Sequence, residues 1–391
     1  MLKASLVFVT AGGLKCAAMK PSIDVIYIDP AVRRRSITSR ILKKLRGVPV
    51  TIIKDRKTFL KKAETVPLNR GKRTLWITEF RGPLLKPCPA TGEDYLCCRY
   101  RTINTQTNCP LDCSYCILQN FLNFPLLTVY VNIQDALKEI DALIASEPER
   151  LFRMGTGELT DSLALDPLTG VNETLIRHAL KRNMVLEIKT KTDLVRHLPR
   201  IPKRNILVSW SLNPEEIVKS EEHKAAPLAA RLAAAKTVLK KGYRLGFHFD
   251  PLLIFPGWEK KYAELIGRLT GTVPEEDVMW ISLGSFRYPP GLKRTLDERF
   301  PASKIAAEEF VKGLDGKMRY FRPGRTQLYR KVYGMLRERW KNVFIYFCME
   351  SPTVWKNVMG FSPNDNAHLD RLFQENLTRR FSEVFRKPDS P

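Results

Sequence analysis

Apolar positions divide residues 99–290 into short apolar runs that alternate with longer segments of helical periodicity. The short runs are rich in branched and aromatic residues, which are typical of strands. They lie at residues 128–131, 150–154, 185–188, 206–210, 244–249 and 278–283. Apolar residues at helical spacing separate the runs at 133–144, 172–181, 227–241 and 259–269. This alternation predicts βα units around a parallel sheet, either an open partial barrel or a doubly wound sheet.

Polar side chains follow the predicted strands at their carboxyl ends. They are Gly155-Thr156-Gly157-Glu158, Lys189-Thr190-Lys191, Ser211-Leu212-Asn213, His248, Asp250 and Ser282. Both architectures bind ligands at this edge of the sheet, so these residues predict a site there. His248 and Asp250 lie on one face of their strand, as either an acid–base pair or a structural pair.

Two further segments flank this central part of the chain. Residues 1–98 form an irregular N-terminal module with strand candidates at 25–28 and 74–78, and residues 291–391 form a C-terminal extension. In the extension, a basic helix at 327–339 precedes a strand at 343–347 that ends next to Cys348. No segment approaches the roughly 18 apolar residues that span a bilayer, so we predict a protein without a membrane span.

The charge of the chain is strongly positive and unevenly distributed. There are 65 basic and 41 acidic residues, which give a formal net charge of +24. Residues 1–104 hold 22 basic and only 7 acidic side chains. This asymmetry predicts a polyanionic partner, with nucleic acid favoured over an anionic membrane surface or a basic face without a partner.

Six of the eight cysteines fall between residues 88 and 116. Secreted disulfide scaffolds are small and carry cysteine throughout, so this distribution indicates metal or cluster ligation in a reducing, cytoplasmic compartment. Cys109, Cys113 and Cys116 form a C-x3-C-x2-C run, whose thiolates can wrap an iron–sulfur cube and leave one iron open. The alternative is a zinc site, which needs a fourth thiolate from elsewhere in the cysteine-rich segment.

The C-x3-C-x2-C spacing is similar to that of the radical S-adenosylmethionine enzymes. The resemblance implies a 4Fe–4S cluster on the three cysteines, with S-adenosylmethionine bound to the open iron. It implies a partial (β/α)6 TIM-like barrel and reductive cleavage of S-adenosylmethionine to a 5′-deoxyadenosyl radical, with the electron from an external flavodoxin- or ferredoxin-type donor. The likeness extends to an aromatic residue before the third cysteine and to a Gly-Gly-Glu-like turn, which are Tyr115 and the residues Gly155, Gly157 and Glu158.

Within that superfamily the chain most resembles the spore photoproduct lyases, from about residue 107 to residue 347. The likeness rests on Cys116-Ile117-Leu118-Gln119, Asp166-Pro167-Leu168-Thr169, Thr190-Lys191, Ser211-Leu212-Asn213, residues 242–247 and Gly257-Trp258-Glu259. It implies a carbon–carbon lyase that repairs a thymine photoproduct in DNA. By position, it also implies a role for two sets of residues: Lys191, Ser211 and Asn213 at S-adenosylmethionine, and Arg287, Lys293 and Arg294 with the basic module at the DNA backbone.

Two positions depart from the pattern of the lyases. The lyases carry a hydrogen-donating cysteine after the second strand, where this chain has no thiol and Glu158 falls near the position. They also carry an aromatic residue after the third cluster cysteine, where this chain has Ile117. We therefore take Tyr115, Glu158 and Cys348 as the candidate catalytic residues, with Cys348 or one of three other cysteines as donor: Cys88, Cys97 and Cys98. Cys348 is otherwise a small buried residue at a strand end. Two alternatives stay open, a metal-stabilised nucleic-acid-binding protein without catalysis and a radical enzyme with another substrate.

Overall fold

The central strands are buried along their length, as in a parallel sheet that is covered on both faces. The computed structural model describes residues 22–89, 95–203 and 205–385, so Cys16 lies outside the described residues. The strands are β1 (Val25–Ile28), β2 (Val50–Ile52), β3 (Thr74–Thr78), β4 (Leu85–Pro87), β5 (Arg101–Ile103), β6 (Gln106–Thr107), β7 (Leu127–Tyr130), β8 (Phe152–Gly155), β9 (Met184–Thr190), β10 (Ile206–Ser211), β11 (Arg244–Leu252), β12 (Val278–Ser285), β13 (Arg287–Tyr288), β14 (Phe310–Lys312), β15 (Met318–Tyr320) and β16 (Phe344–Phe347).

Helices connect most of these strands. They are α1 (Ser36–Lys44), α2 (Arg56–Glu64), α3 (Leu68–Gly71), α4 (Leu118–Phe121), α5 (Ile133–Ser146), α6 (Asp166–Thr169), α7 (Val171–Ala179), α8 (Glu215–Glu221), α9 (Leu228–Leu239), α10 (Trp258–Thr270), α11 (Gly291–Arg299), α12 (Arg322–Arg339), α13 (Pro352–Met359), α14 (Asn366–Arg380) and α15 (Ser382–Phe385). Within the described ranges, no helix has both the length and the apolar character that crossing a bilayer requires.

The larger sheet is a partial TIM-like barrel. Its strand order is β16-β12-β11-β10-β9-β8-β5-β4, and every neighbouring pair is parallel except β4 and β5. All residues of β10 and β12 are buried, because α9 packs on β10 and β11 while α12 packs on β12. The outermost strands of this sheet, β4 and β16, are not neighbours, so the barrel is open, as predicted.

A second, smaller sheet has the order β2-β1-β3-β7-β6, in which the first four strands are parallel. Strand β7 follows the cysteine-rich segment in the chain, and its apolar pattern predicts the first strand of the barrel series. The structure instead pairs β7 with β3, with Leu127 opposite Leu75. The prediction of a strand is confirmed, but its place in the barrel is wrong, because periodicity does not specify which strand is the neighbour.

Strand pairing crosses the two predicted domain boundaries. Strands β6 and β7 join the N-terminal sheet from beyond residue 98, while β4 joins the barrel from before it. Strand β16 of the C-terminal extension forms the last barrel strand, next to β12. The boundaries at residues 98 and 290 stay predictions. The barrel strands nevertheless bring distant segments of the chain together at one edge.

Candidate active site

The carboxyl ends of the barrel strands surround a cavity of about 500 Å³. Its wall includes most of the residues that the sequence predicts for the site, namely Cys109, Cys113, Tyr115, Cys116, Gly157, Glu158, Lys191, Ser211 and Cys348. A volume of this size holds a ligand of the size of a nucleoside cofactor. These residues therefore line one cavity, and their roles in a site stay predictions.

Cys109, Cys113 and Cys116 lie on an irregular loop between β6 and α4. The residues Asn108 and Asp112 adopt left-handed backbone conformations, with φ of 67° and 57°, which short polar side chains tolerate better than most. These two turns fold the loop so that its three thiols line the same cavity. Cys109 and Cys113 are buried, while Cys116 is partly exposed.

Neighbouring segments hold this cysteine loop in place through its backbone. The Ser114 N–H donates to the Glu221 carbonyl at 2.8 Å, and the Lys224 N–H donates to the Leu111 carbonyl at 2.9 Å. From the N-terminal module, the Lys72 ammonium donates to the Cys109 carbonyl at 3.0 Å. The loop is therefore fixed on both sides by the neighbouring segments.

The three thiols of the loop fit the donor set of an iron–sulfur cluster with one open iron. Within the described parts of the chain, no three metal-binding side chains are gathered closely enough to hold one ion. A four-iron cube spaces its thiolates farther apart than a single zinc ion does, and three of them suffice when one iron stays open. Burial raises the pKa of Cys113 to about 12, so ligation must release protons from the loop.

A buried carboxylate connects the loop to the strand ends. Glu222 accepts hydrogen bonds from the Tyr115 hydroxyl and the Arg231 guanidinium, and from Lys191 and Asn213, both at 3.1 Å. Burial works against the charge of this carboxylate. Arg231 and Lys191 nevertheless hold the pKa of Glu222 below its ordinary range. Tyr115 and Lys191 are thus fixed in position on the cavity wall.

Two of the residues predicted to bind the cofactor do not line the cavity. Asn213 is fully buried and reaches the cavity wall through its hydrogen bonds to Tyr115 and Glu222. Gly155 lies where any side chain would collide with the Tyr100 hydroxyl and the Glu187 carbonyl. Their direct contact with a cofactor stays a prediction. Both residues instead shape the cavity wall from behind the residues that line it.

A row of alternating charges crosses the barrel mouth from Glu158. The carboxylate of Glu158 pairs with Lys189, and His248 pairs with Glu187 at 2.7 Å. Burial opposes the charge of Glu187, but His248 outweighs it and lowers the pKa of the carboxyl to about 2. The acid–base pairing of His248 with Asp250 is wrong, because each of the two faces a different partner.

Asp250 pairs with Arg287 at 3.1 Å. The Arg287 side chain is largely buried on the cavity wall, so it does not offer an exposed contact for a DNA backbone. It reaches the Cys348 sulfur at 3.5 Å instead. Burial raises the pKa of Cys348 to about 12 despite the nearby guanidinium. Cys348 therefore keeps its S–H bond at neutral pH.

Cys348 belongs to a second group of thiols that line this cavity with Cys88, Cys97 and Cys98. Strands β4 and β5 pair as a hairpin, which places Cys88 beside Tyr100 through a backbone hydrogen bond of 2.8 Å. Strand β16 pairs with β12 and so brings Cys348 to the same wall. All seven described cysteines are free thiols.

Sequence reasoning missed several residues of the site. Glu222 and Arg231 lie in a helical region with no motif of their own, and only the tertiary contact with Tyr115 shows their part. Glu187 is a buried position in the middle of β9. A charged residue inside an otherwise apolar strand was the available signal for Glu187, because such charges are rarely buried without partners.

Comparison with known proteins agrees with this geometry. Residues 97–344, more than half of the chain, match the family model of spore photoproduct lyase. Among curated proteins, the chain is 28% identical over 233 residues to spore photoproduct lyase of Bacillus subtilis (strain 168), and 22% identical over 230 residues to that of Clostridium acetobutylicum. Each alignment covers 58% of this chain and 66% of the relative.

Solved structures share the fold. Spore photoproduct lyase complexed with dinucleoside spore photoproduct superposes with a TM-score of 0.74 at 21% identity, covering 84% of this chain and 100% of that one. A double mutant with bound AdoMet and dinucleoside spore photoproduct gives a TM-score of 0.73 with the same identity and coverage. At this level of identity, the likeness shows the fold.

Proposed function

The chain belongs to the spore photoproduct lyase family, and on this premise we propose that it is a radical S-adenosylmethionine enzyme that reverts a thymine photoproduct in DNA. One observation carries the proposal: the cysteine loop, the polar strand ends and Cys348 all open on the same cavity. The three loop cysteines and the protonated thiol of Cys348 line this one cavity. A cavity lined by both suits hydrogen removal and hydrogen return on one bound substrate.

The chain's own residues prepare a place for the cluster and the cofactor. Cys109, Cys113 and Cys116 hold the 4Fe–4S cluster, and their loop is fixed by its backbone bonds to the segment that follows α8. Bound there with S-adenosylmethionine, the cluster supplies the one-electron chemistry that removes a hydrogen atom from the substrate. The electron comes from an external carrier of the flavodoxin or ferredoxin type.

Four residues on the wall orient the polar ends of the cofactor. Gly157 allows Lys189 to approach the backbone closely, because a side chain at position 157 would meet the Lys189 Cβ at 2.6 Å. Glu158 and Lys191 offer opposite charges for an amino group and a carboxylate, and Ser211 offers a hydroxyl. Glu222 keeps Lys191 and Tyr115 in place from behind the wall.

Reversion leaves one base short of a hydrogen atom, and Cys348 returns it. The relevant property of a donor is a protonated, positioned S–H bond, which a carboxylate such as Glu158 does not provide. Burial keeps Cys348 protonated, and Arg287 contacts its sulfur. The donor thus comes from β16, on a different strand from the position used by the lyases that this chain resembles.

DNA is the partner, and its backbone lies on the exposed basic residues near the cavity. Lys293 and Arg294 are exposed at the start of α11, while the N-terminal module carries most of the excess positive charge. Phosphate contacts of this kind position the duplex without reading its sequence. The free thiols agree with a reducing, cytoplasmic compartment.

Anaerobic reconstitution with iron and sulfide, followed by reduction with S-adenosylmethionine and ultraviolet-irradiated DNA, tests the proposal. We expect about four irons per chain, release of 5′-deoxyadenosine and loss of the photoproduct. The Cys113→Ala variant should lose iron and cleavage together, while Cys348→Ala should keep both and lose only repair. A colourless protein with one zinc, or iron without 5′-deoxyadenosine release, would contradict the proposal.

A further inference from the structure

A buried lysine of the N-terminal module lies against the cysteine loop. The Lys72 side chain is only 1% exposed, and it lines the same cavity as Cys109. Its ammonium donates to the Cys109 carbonyl at 3.0 Å and pairs with Asp112 at 3.3 Å. Residues 108–117 contain no lysine or arginine, so the cations beside this loop come from other parts of the chain.

The backbone around Lys72 is fixed against the loop as well. Gly71 packs so closely on the Pro125 carbonyl that a side chain at position 71 would collide with it. The same carbonyl accepts a hydrogen bond from the Asn108 side chain, directly before the first cysteine of the loop. The Lys72 N–H donates to the Leu68 carbonyl at 3.0 Å. The ammonium is therefore held at one position beside the loop.

Two cations share one carboxylate at this position. Arg299 of α11 also donates to the two carboxylate oxygens of Asp112, at 3.0 Å and 3.2 Å. Its side chain is mostly buried, as are those of Asp112 and Lys72. Within this group of three side chains, one positive charge remains unbalanced in a place from which water is largely excluded.

Fastening the loop does not by itself require a charge. A neutral donor would bond the Cys109 carbonyl at a lower cost of desolvation than a buried ammonium, and Asp112 keeps Arg299 as a partner without Lys72. What a cation adds is a positive potential at the loop. The reduction potential of an iron–sulfur cluster depends on the charges and hydrogen bonds around its ligands.

We propose that Lys72 raises the reduction potential of the cluster held by the cysteine loop. This inference rests on the proposed function, and it gives the N-terminal module a part in electron transfer. In that step the carrier of the flavodoxin or ferredoxin class loses one electron and the cluster gains it, with one added negative charge and no transfer of a proton. The Lys72 ammonium stabilises the added charge, because Coulomb interactions are strong where water is excluded.

Redox titration of the reconstituted protein without S-adenosylmethionine tests the inference. The electron paramagnetic resonance signal of the reduced cluster is followed in Lys72→Met, which replaces the ammonium by a neutral side chain of similar length. We expect the midpoint potential to fall by about 59 mV, which is a tenfold change in the equilibrium for one electron. Asp112→Asn removes the opposing charge and should raise the midpoint. Asparagine tolerates the left-handed backbone at this position.

The matched control is Lys61→Met, at an exposed position of α2. It should leave the midpoint potential unchanged, because water and salt screen an exposed charge. Iron content is measured for every variant, and we expect about four irons per chain in each. An unchanged midpoint in Lys72→Met, loss of its iron, or shifts of Lys72→Met and Asp112→Asn in the same direction would overturn the inference alone. Absence of iron or of 5′-deoxyadenosine release from the unsubstituted protein would overturn the proposed function, and the inference with it.

Discussion

Single residues decide the chemistry of this cavity. The resemblance implies a donor thiol near the position of Glu158, which forms an ion pair with Lys189 instead. Cys348 lines the same cavity and remains protonated. Under the proposed function, the donor role of Cys348 depends on where its sulfur lies in space and not on its place in the chain.

Removal of the proposed donor thiol tests this directly. We expect Cys348→Ala to lose most of the repair, measured as photoproduct lost per unit time, while 5′-deoxyadenosine release persists. Unchanged repair in this variant, with iron and cofactor cleavage intact, would show that Cys348 is not the donor.

At the scale of elements, the end of α8 and the residues after it fix the cysteine loop. They supply Glu221 and Lys224 to the loop backbone and Glu222 to Tyr115, Lys191 and Arg231. The side chains of Glu222 and Arg231 are fully buried. Leaving a buried charge without its partner costs folding free energy. The cysteine loop therefore depends on the end of α8, although that helix contains no cysteine.

We expect Glu222→Gln to lower the free energy of unfolding by about 3 to 5 kcal/mol, because it leaves Arg231 buried without a counter-charge. Urea unfolding of the anaerobic protein measures this change. The matched control is Glu216→Gln on α8, whose ion pair with Lys261 is largely exposed and contributes less than about 1 kcal/mol. Equal effects of the two substitutions would contradict a structural role for Glu222.

Strands β8 and β9 approach so closely that only glycine fits at Gly155. We expect Gly155→Ala to lower the free energy of unfolding by about 1 to 3 kcal/mol, as overpacking does. The control is Gly334→Ala in α12, where the added methyl group meets open space and alanine favours the helix by about 1 kcal/mol. Thermal unfolding should show a lower midpoint temperature for Gly155→Ala and a higher one for Gly334→Ala.

Over the whole molecule, the dominant property is the excess of positive charge. Lys43 and Lys44 are exposed at the end of α1, in the module that holds most of this excess. We expect Lys43→Ala/Lys44→Ala to weaken binding to DNA of any sequence and to lower the slope of log affinity against log salt by about 1.8. Replacement of Lys236 and Lys240, exposed on and just after α9, should change the slope little. Identical slopes for both variants would exclude α1 from the DNA-binding face.

The sequence predicts the barrel and the cysteine loop because both are local signals. The central barrel strands are built on short, mostly apolar runs, and the loop is a fixed spacing of three cysteines. The pairing of β7 with β3 is not local, and no period in the chain encodes it. The same holds for Glu222, whose part in the site exists only once α8 has packed beside the loop. Long-range contacts thus determine the strand pairing of β7 and the position of Glu222, neither of which the cysteine motif specifies.

Strand β16 pairs with β12 and so completes the cavity wall with a residue far from the cysteine loop in the chain. Under the proposed function, the hydrogen donor therefore lies outside the segment that carries the cysteine motif. A search for donor thiols in related chains then has to cover the whole cavity wall, including the last barrel strand.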